Sequence, residues 1–461
     1  MAVEDPMSMI NLFEYQNKAD ISESLENGLE EFLDEVWAKR EKNPYFDQEQ
    51  ADKVENQQFL QFLHKTNQIK SNNYVGVIHF EGHRINLLPK VFFKPDQEYR
   101  EVDIQNIQHH ILWWLSYCRK IRFPNYQTNL DSTKGDFFEV LIYLFSKYTK
   151  ALFQNSIYQA YEEIDRELPY IKGKLNVPAY IKENISRGIW HKLNCTFDMN
   201  TLDNKFNRII KYVANILFAV TQEQDSKKNL REILFVLDDV ADEPATAEQC
   251  QNLIFNPLFA DFEVVRDYCH LFLSNSVQFT YKNNLKLFAF LLPMEYVFED
   301  FIFGFIEKEV PQISVRSQRS DTYLAEGNRF RLRPDLFIDA KNVGIIADTK
   351  YKIINSNHDY DGEISQNDLY QMAAYAIRFG VEKVLLYFPD SLVGEPAAIP
   401  PIKIKDRLSD GREIVIYPTV LSIINKELFT MNAMADKAQI NLFINTTIRL
   451  KEQIEKSIGS L

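Results

Sequence analysis

The sequence predicts a mixed α/β protein, with an α+β N-terminal region followed by an α/β C-terminal domain. Three observations predict it. Residues 72–93 carry the two-residue period of paired strands. Stretches beginning near residues 104, 137, 203 and 294 carry the 3.6-residue period of amphipathic helices. After residue 284 the order becomes helix, hairpin, helix, strand, which is the alternation of an α/β domain. At roughly 150 residues per domain, 461 residues make about three. The expected division is an acidic helical segment over 1–70, a β-containing helical domain over 71–284 and an α/β domain over 285–461.

Composition excludes several classes. Hydrophobic residues are 45% and charged residues 25%, and 34 Phe with 23 Tyr supply ample surface to bury, so extensive disorder is ruled out. The net charge of −13 is uneven. Residues 1–60 hold 15 acids and 5 bases, which leaves −3 for the rest. That argues against a simple DNA-coating protein but allows a local nucleic-acid site. The four cysteines, Cys118, Cys195, Cys250 and Cys269, form no C-x-x-C pair and read as buried thiols. No signal peptide is visible. The longest apolar runs fall well short of the ~20 residues of a membrane span, so the expectation is a soluble, cytoplasmic protein.

The elements follow in order. Asp20 and Glu23 have capping-box spacing, and Leu25, Leu29, Phe32, Leu33, Val36 and Trp37 recur on one face, which predicts a helix over 20–40. Tyr74–Phe80 and Arg84–Leu88 read as strands joined by Glu81-Gly82-His83. Helices are expected over Ile104–Tyr117 and Phe137–Leu152. Residues 160–200 read as β-like. From Asp203, Phe206, Ile209, Ile210, Val213 and Leu217 line one helical face, and further helices fill 226–275. A helix over Met294–Ile306 follows Pro293. Strand-like runs at Arg331–Ile338 and Val343–Tyr351 flank Asp339-Ala340-Lys341-Asn342. After a polar loop, Asn355–Glu363, come a helix over Gln366–Phe379 and a buried strand over Val381–Phe388.

The chemistry concentrates in the last third. Pro334-Asp335 is followed, after an interval of twelve residues, by Asp348-Thr349-Lys350. Asp348 and Lys350, two apart on a strand, share a face. A short hairpin brings Asp335 beside them. Two carboxylates and the Thr349 carbonyl suit Mg²⁺, a hard cation that takes oxygen ligands and relieves their mutual repulsion. Lys350 is placed to orient a water or to meet charge developing on a phosphate. The string alone is loose, and a turn aspartate with a surface ion pair would also produce it. The apolar runs Leu336-Phe337-Ile338 and Val343–Ala347 favour the metal reading, because a carboxylate ending such a strand is costly unless it is bound. Gln371 and Tyr375 share a helix face, either toward this site or as a polar edge. Glu299 is a third acid or part of a solvated face. Arg316, Arg319, Arg329, Arg331 and Arg333 give residues 313–333 a net +3, either a phosphate-facing surface or ordinary surface charge.

Pro334-Asp335, Asp348-Thr349-Lys350 and Gln371-x-x-x-Tyr375 resemble the PD-(D/E)xK nuclease core found in RecB-type nucleases. The wider chain resembles the McrC family, the nuclease subunits of McrBC-type modification-dependent restriction systems. The matching blocks are Val75–Ile78, Leu87–Val91, Leu168–Leu175, Cys195–Asp198, Asp203–Lys211, Phe298-Glu299 and Asp368–Tyr375, in order over about 72–390. The resemblance implies a restriction-endonuclease-like C-terminal domain that cuts double-stranded, methylcytosine-containing DNA with Mg²⁺. It implies Asp335, Asp348, Lys350, Gln371 and Glu299 as catalytic residues and Asp335, Asp348 and Thr349 as metal ligands. It also implies an N-terminal region that docks on a McrB-like AAA+ GTPase hexamer and stimulates it, and hence a role in phage defence. Lys172, Lys174 and Arg208 are candidates for reaching that partner. No G-x-x-x-x-G-K-[ST] loop is present, because Gly173-Lys174 is followed by Leu175, so the motor would be another chain. The alternatives are a stand-alone RecB-like nuclease and a non-enzymatic activator of a motor.

Overall fold

The structure, a computed structural model, describes residues 9–22, 28–30, 33, 59–80, 83–95, 97–119, 137–281, 284–317, 322–325, 329–340, 343–354, 364–394, 399–405, 413–430 and 442–459. Backbone contacts divide the chain into two compact units, Met1–Phe138 with Asn275–Leu461, and Glu139–Ser274. The architecture is mixed α/β, as expected from the alternating periods.

The first unit holds a five-stranded sheet in the order Met9–Phe13, His83–Leu88, Tyr74–Phe80, Asn284–Pro293, Ser276–Tyr281. The first pair is parallel and the others antiparallel. The hairpin read at 74–88 is present, and residues 81–82 of its turn lie outside the described residues. Gly76 allows close pairing here, since a Cβ would fall on the Phe290 carbonyl. The two arms Ser276–Tyr281 and Asn284–Pro293 form one hairpin, and the second arm pairs with Tyr74–Phe80. The boundary read at residue 284 therefore falls inside a hairpin, and the contacts join what the sequence reading divided.

A small sheet of Lys18–Asp20, Gln68–Ser71 and Leu60–Leu63 lies at the N-terminal end. Asp20 thus ends a strand rather than capping a helix, and the Ile21 N–H continues to the Asn67 carbonyl at 2.9 Å. Of the helix expected over 20–40, residues 28–30 and 33 are described and helical. Leu29 and Leu33 are buried with Leu12, Ile78 and Phe80. Leu25, Phe32, Val36 and Trp37 lie outside the described residues.

The second sheet of this unit runs Ser314–Ser317, Leu336–Ala340, Val343–Thr349, Lys383–Pro389, Glu413–Leu421, Ile402–Lys405. Val343–Thr349 is antiparallel to Leu336–Ala340 and parallel to Lys383–Pro389. The parallel connection is made through the Gln366–Phe379 helix, started by the Ser365 side chain and ended at Gly380. Lys383–Pro389 is buried along nearly its whole length, which is why it reads as an unbroken apolar run. The strand-like run read at Arg331–Ile338 is in fact two strands. Pro334 lacks an N–H for the ladder, and the chain breaks at residues 333–335. Arg329–Leu332 pairs instead with Thr322–Ala325 in a separate hairpin. The Met294–Glu309 helix packs tightly at Gly304, where a Cβ would fall on the Tyr117 carbonyl.

In the second unit, Ala160–Leu168, Leu193–Thr201 and Lys174–Leu175 form a three-stranded sheet. The β-like reading of 160–200 fails over residues 177–187, which are helical. The Asn176 side chain opens that turn by accepting the Ala179 N–H at 3.2 Å. The Lys205–Val220 helix buries Phe206, Ile209, Ile210, Val213 and Leu217, the face read from the sequence. All four cysteines are buried free thiols. Among the described residues no helix is long and apolar enough to cross a membrane.

Candidate active site

The pairing Leu336↔Ala347 sets the geometry. One step further along that antiparallel ladder, Asp335 comes beside the Asp348–Thr349 end of the neighbouring strand. Asp335 Oδ2 accepts the Thr349 N–H at 2.7 Å and the Thr349 hydroxyl at 2.8 Å. Thr349 therefore fixes one carboxylate. Asp348 is 1% exposed. Its Oδ2 sits 2.6 Å from Lys350 Nζ in a buried ion pair.

Burial first, and then the Asp335 charge, push the Asp348 carboxyl well above the usual range, against the opposing pull of Lys350. Lys350 is held above its ordinary value. Burial works against its charge, but Asp348 and Asp335 outweigh that. Two carboxylates facing a single ammonium leave this buried site short of positive charge. These residues fit Mg²⁺, which binds through one or two carboxylates and fills its other positions with water and substrate oxygens. The described residues hold no cluster of three His, Cys, Asp or Glu side chains able to grip a metal. Glu299 acts on Asp348 through its charge, as a neighbour in the field.

The Gln366–Phe379 helix places two side chains in line with Lys350. Lys350 Nζ donates to Gln371 Oε1 at 3.3 Å, Gln371 Nε2 donates to Tyr375 Oη at 2.8 Å, and Tyr375 Oη donates to the Arg333 carbonyl at 3.0 Å. This chain runs from the lysine to the backbone two residues before Asp335. Of the five arginines, Arg316, Arg329 and Arg331 are exposed, Arg333 is half-buried and Arg319 lies outside the described residues.

Sequence reasoning missed the back of the site. Tyr351, next to Lys350, is 4% exposed and donates its hydroxyl to Glu14 Oε2 at 3.1 Å. The same oxygen accepts the Lys90 N–H at 3.1 Å, and Lys90 Nζ lies 4.4 Å from the centre of the Tyr351 ring. Glu14 thus ties the first strand of the protein to the Asp348 strand. Burial raises the Glu14 carboxyl to about 7 against the pull of Lys90. From about pH 4.5 to 7 the folded state keeps a proton that the unfolded chain has lost, so stability falls as pH rises through that window. The Glu14 contribution is on the order of 3 kcal/mol. Glu14→Gln is expected to flatten the fall, read from urea midpoints between pH 5 and 8. Equal pH slopes in parent and variant would remove Glu14 as the cause.

Comparison with known proteins now adds to this geometry. A family model described as McrBC 5-methylcytosine restriction system component matches residues 69–389. No curated protein sequence matches the chain. Among solved structures, the fold is similar to a chain in the refined half-complex from the tetradecameric assembly of Thermococcus gammatolerans McrB AAA+ hexamers with bound McrC. There the TM-score is 0.63 at 17% identity, covering 97% of this chain and 100% of the other. A chain in the Thermococcus gammatolerans McrBC complex gives a TM-score of 0.46 at 19% identity, covering 66% of this chain and 88% of the other. With the family model spanning more than half of its length, the chain belongs to the McrBC 5-methylcytosine restriction system component family.

Proposed function

We propose that the chain is the McrC-like nuclease subunit of such a system, a Mg²⁺-dependent DNA endonuclease that works with a separate McrB-like AAA+ GTPase. The carrying observation is the pair Asp335 and Asp348 at the end of a buried strand, with Lys350 2.6 Å from Asp348. The missing phosphate-binding loop supports the subunit assignment, since a chain without it needs its motor from elsewhere. The order helix, hairpin, helix, strand around Asp335, Asp348, Lys350 and Gln371 supports a PD-(D/E)xK core.

Asp335 and Asp348 would hold the cation, which when bound supplies polarisation of the phosphodiester and acidification of a water ligand. Thr349 holds Asp335 in place for this. Lys350 presents a fixed positive charge to the developing negative charge of the phosphate. Gln371 and Tyr375 keep its ammonium aimed by their relay to the Arg333 carbonyl. Lys350→Ala and Asp335→Asn are expected to lose cleavage about as severely as Asp348→Ala, because the three act as one unit. Gln371→Ala removes only the aim of Lys350 and is expected to cost about 10- to 100-fold. Cleavage of methylated duplex DNA with the partner, GTP and Mg²⁺ measures both. A Gln371→Ala loss larger than that of Asp348→Ala overturns these roles.

A further inference from the structure

The hairpin of Thr322–Ala325 and Arg329–Leu332 stands apart from both large sheets of its unit. Its root is fixed beside the site. Leu332 is buried in the core of the second sheet, and Arg378 Nε donates to the Tyr323 carbonyl at 2.8 Å. The chain leaves it through Arg333, whose carbonyl accepts the Tyr375 hydroxyl, and reaches Asp335 two residues later.

Away from the root, Phe330 is 73% exposed and has φ 57°. A bulky residue in the left-handed region is strained, and an exposed phenyl ring adds no burial to offset it. Glycine or asparagine would take this backbone more cheaply. Leu324, in the facing strand, is 47% exposed. Exposed Arg329 and Arg331 precede and follow Phe330 in the chain. Residues 313–333 are net +3 in a chain of −13. An exposed phenyl ring on an arginine-rich hairpin, rooted next to paired carboxylates that themselves repel phosphates, has the chemistry to hold a duplex there.

We propose that this hairpin grips double-stranded DNA beside the Asp335–Asp348 pair, with Phe330 lodged against a base step and Arg329 and Arg331 on the flanking phosphates. The proposal deepens the nuclease reading and rests on it for the position of the duplex.

The test uses the full-length protein and a duplex oligonucleotide carrying 2-aminopurine, without divalent cation, over a range of salt. Phe330→Ala and Phe330→Gly are expected to weaken binding about tenfold, leave the salt slope unchanged and abolish the 2-aminopurine fluorescence rise. Phe330→Trp is expected to retain both. Arg329→Gln and Arg331→Gln should each reduce the log–log salt slope by about 1. Phe330→Gly also relieves the backbone, so its melting temperature should not fall, which separates lost grip from lost folding. Parent-like binding and fluorescence in Phe330→Ala and Phe330→Gly overturn the proposal. So does failure of the parent to bind duplex at low salt, or a loss confined to stimulation of the partner GTPase. If the parent shows these signatures but never cuts with Mg²⁺ and its partner, the nuclease reading fails and the grip stands. If Phe330→Gly binds and cuts as the parent does, the grip fails and the nuclease reading stands.

Discussion

Asp348→Ala is expected to reduce Mg²⁺-dependent cleavage of methylated duplex DNA by at least about 10³-fold, roughly 4 kcal/mol of barrier. The side chain is buried beside Asp335 and paired with Lys350, so its loss removes one of the two carboxylates that would hold the cation. A second readout separates this role from a structural one. Because burial and Asp335 raise the Asp348 carboxyl, the folded state keeps a proton above the pH at which the unfolded chain loses it. The parent therefore loses stability as pH rises from the ordinary carboxylate range, and the variant lacks that loss. Removing Asp348 also takes an ion-pair partner from Lys350, an opposing effect. Lys350 keeps Gln371 Oε1 at 3.3 Å and the Asp335 charge, so the relief at Asp348 is the larger effect. In EDTA at pH 8 the variant should melt higher than the parent, and Mg²⁺ should stabilise the parent alone. Parent-like cleavage by the variant ends the assignment. A lower melting point in EDTA shows instead that the ion pair with Lys350 dominates.

The last third was legible because its signals are local. The Gln366–Phe379 helix has a serine cap and a terminal glycine, and its bounds match those read from the sequence. The Asp335–Asp348 juxtaposition follows from a hairpin of known register. What escaped is non-local. Glu14 meets Tyr351 across 337 residues, and no periodicity encodes that contact. The small sheet around Lys18–Asp20 is built from strands of three or four residues, too short to show a clear alternation. Residues 177–187 read as β-like because strands flank them on both sides, and the Asn176 cap is the local signal for the helical turn. The Glu413–Leu421 strand alternates buried and half-buried residues, a period-2 signal present in the sequence but left unread after residue 400. Arg208 was weighed as a group reaching the partner. Within its own unit it pairs with Asp203 at 2.7 Å and Glu243 at 3.1 Å, non-local contacts of the same kind.

Trp190→Ala combined with Tyr170→Ala is expected to remove stimulation of the partner GTPase while leaving the nuclease residues untouched. The second unit exposes an unusual amount of large apolar surface near its three-stranded sheet. Trp190 is 71% exposed, Ile171 65% and Tyr170 59%. Exposed aromatics mark contact surfaces, and loss of one such anchor costs about 2 kcal/mol or more, near 30-fold in affinity. Lys172 and Lys174 are also exposed there, with Lys172 Nζ 4.1 Å from the centre of the Phe197 ring. Arg208, the third candidate, pairs with Asp203 and Glu243. Division of labour between the two units can be tested only in the full-length protein, since a cut at residue 284 would sever the Ser276–Tyr281/Asn284–Pro293 hairpin and strip the first unit of a central strand. Steady-state phosphate release by the partner should be stimulated by the Asp348→Ala protein as by the parent, because its substitution lies in the other unit. It should fall to the partner's basal rate with Trp190→Ala and Tyr170→Ala, and recover in part at high concentration, since the loss is one of affinity. Full stimulation by the double variant at low concentration moves the docking surface off this sheet. Loss of stimulation in the folded Asp348→Ala protein means the two activities share one site, and the separation proposed for them is wrong.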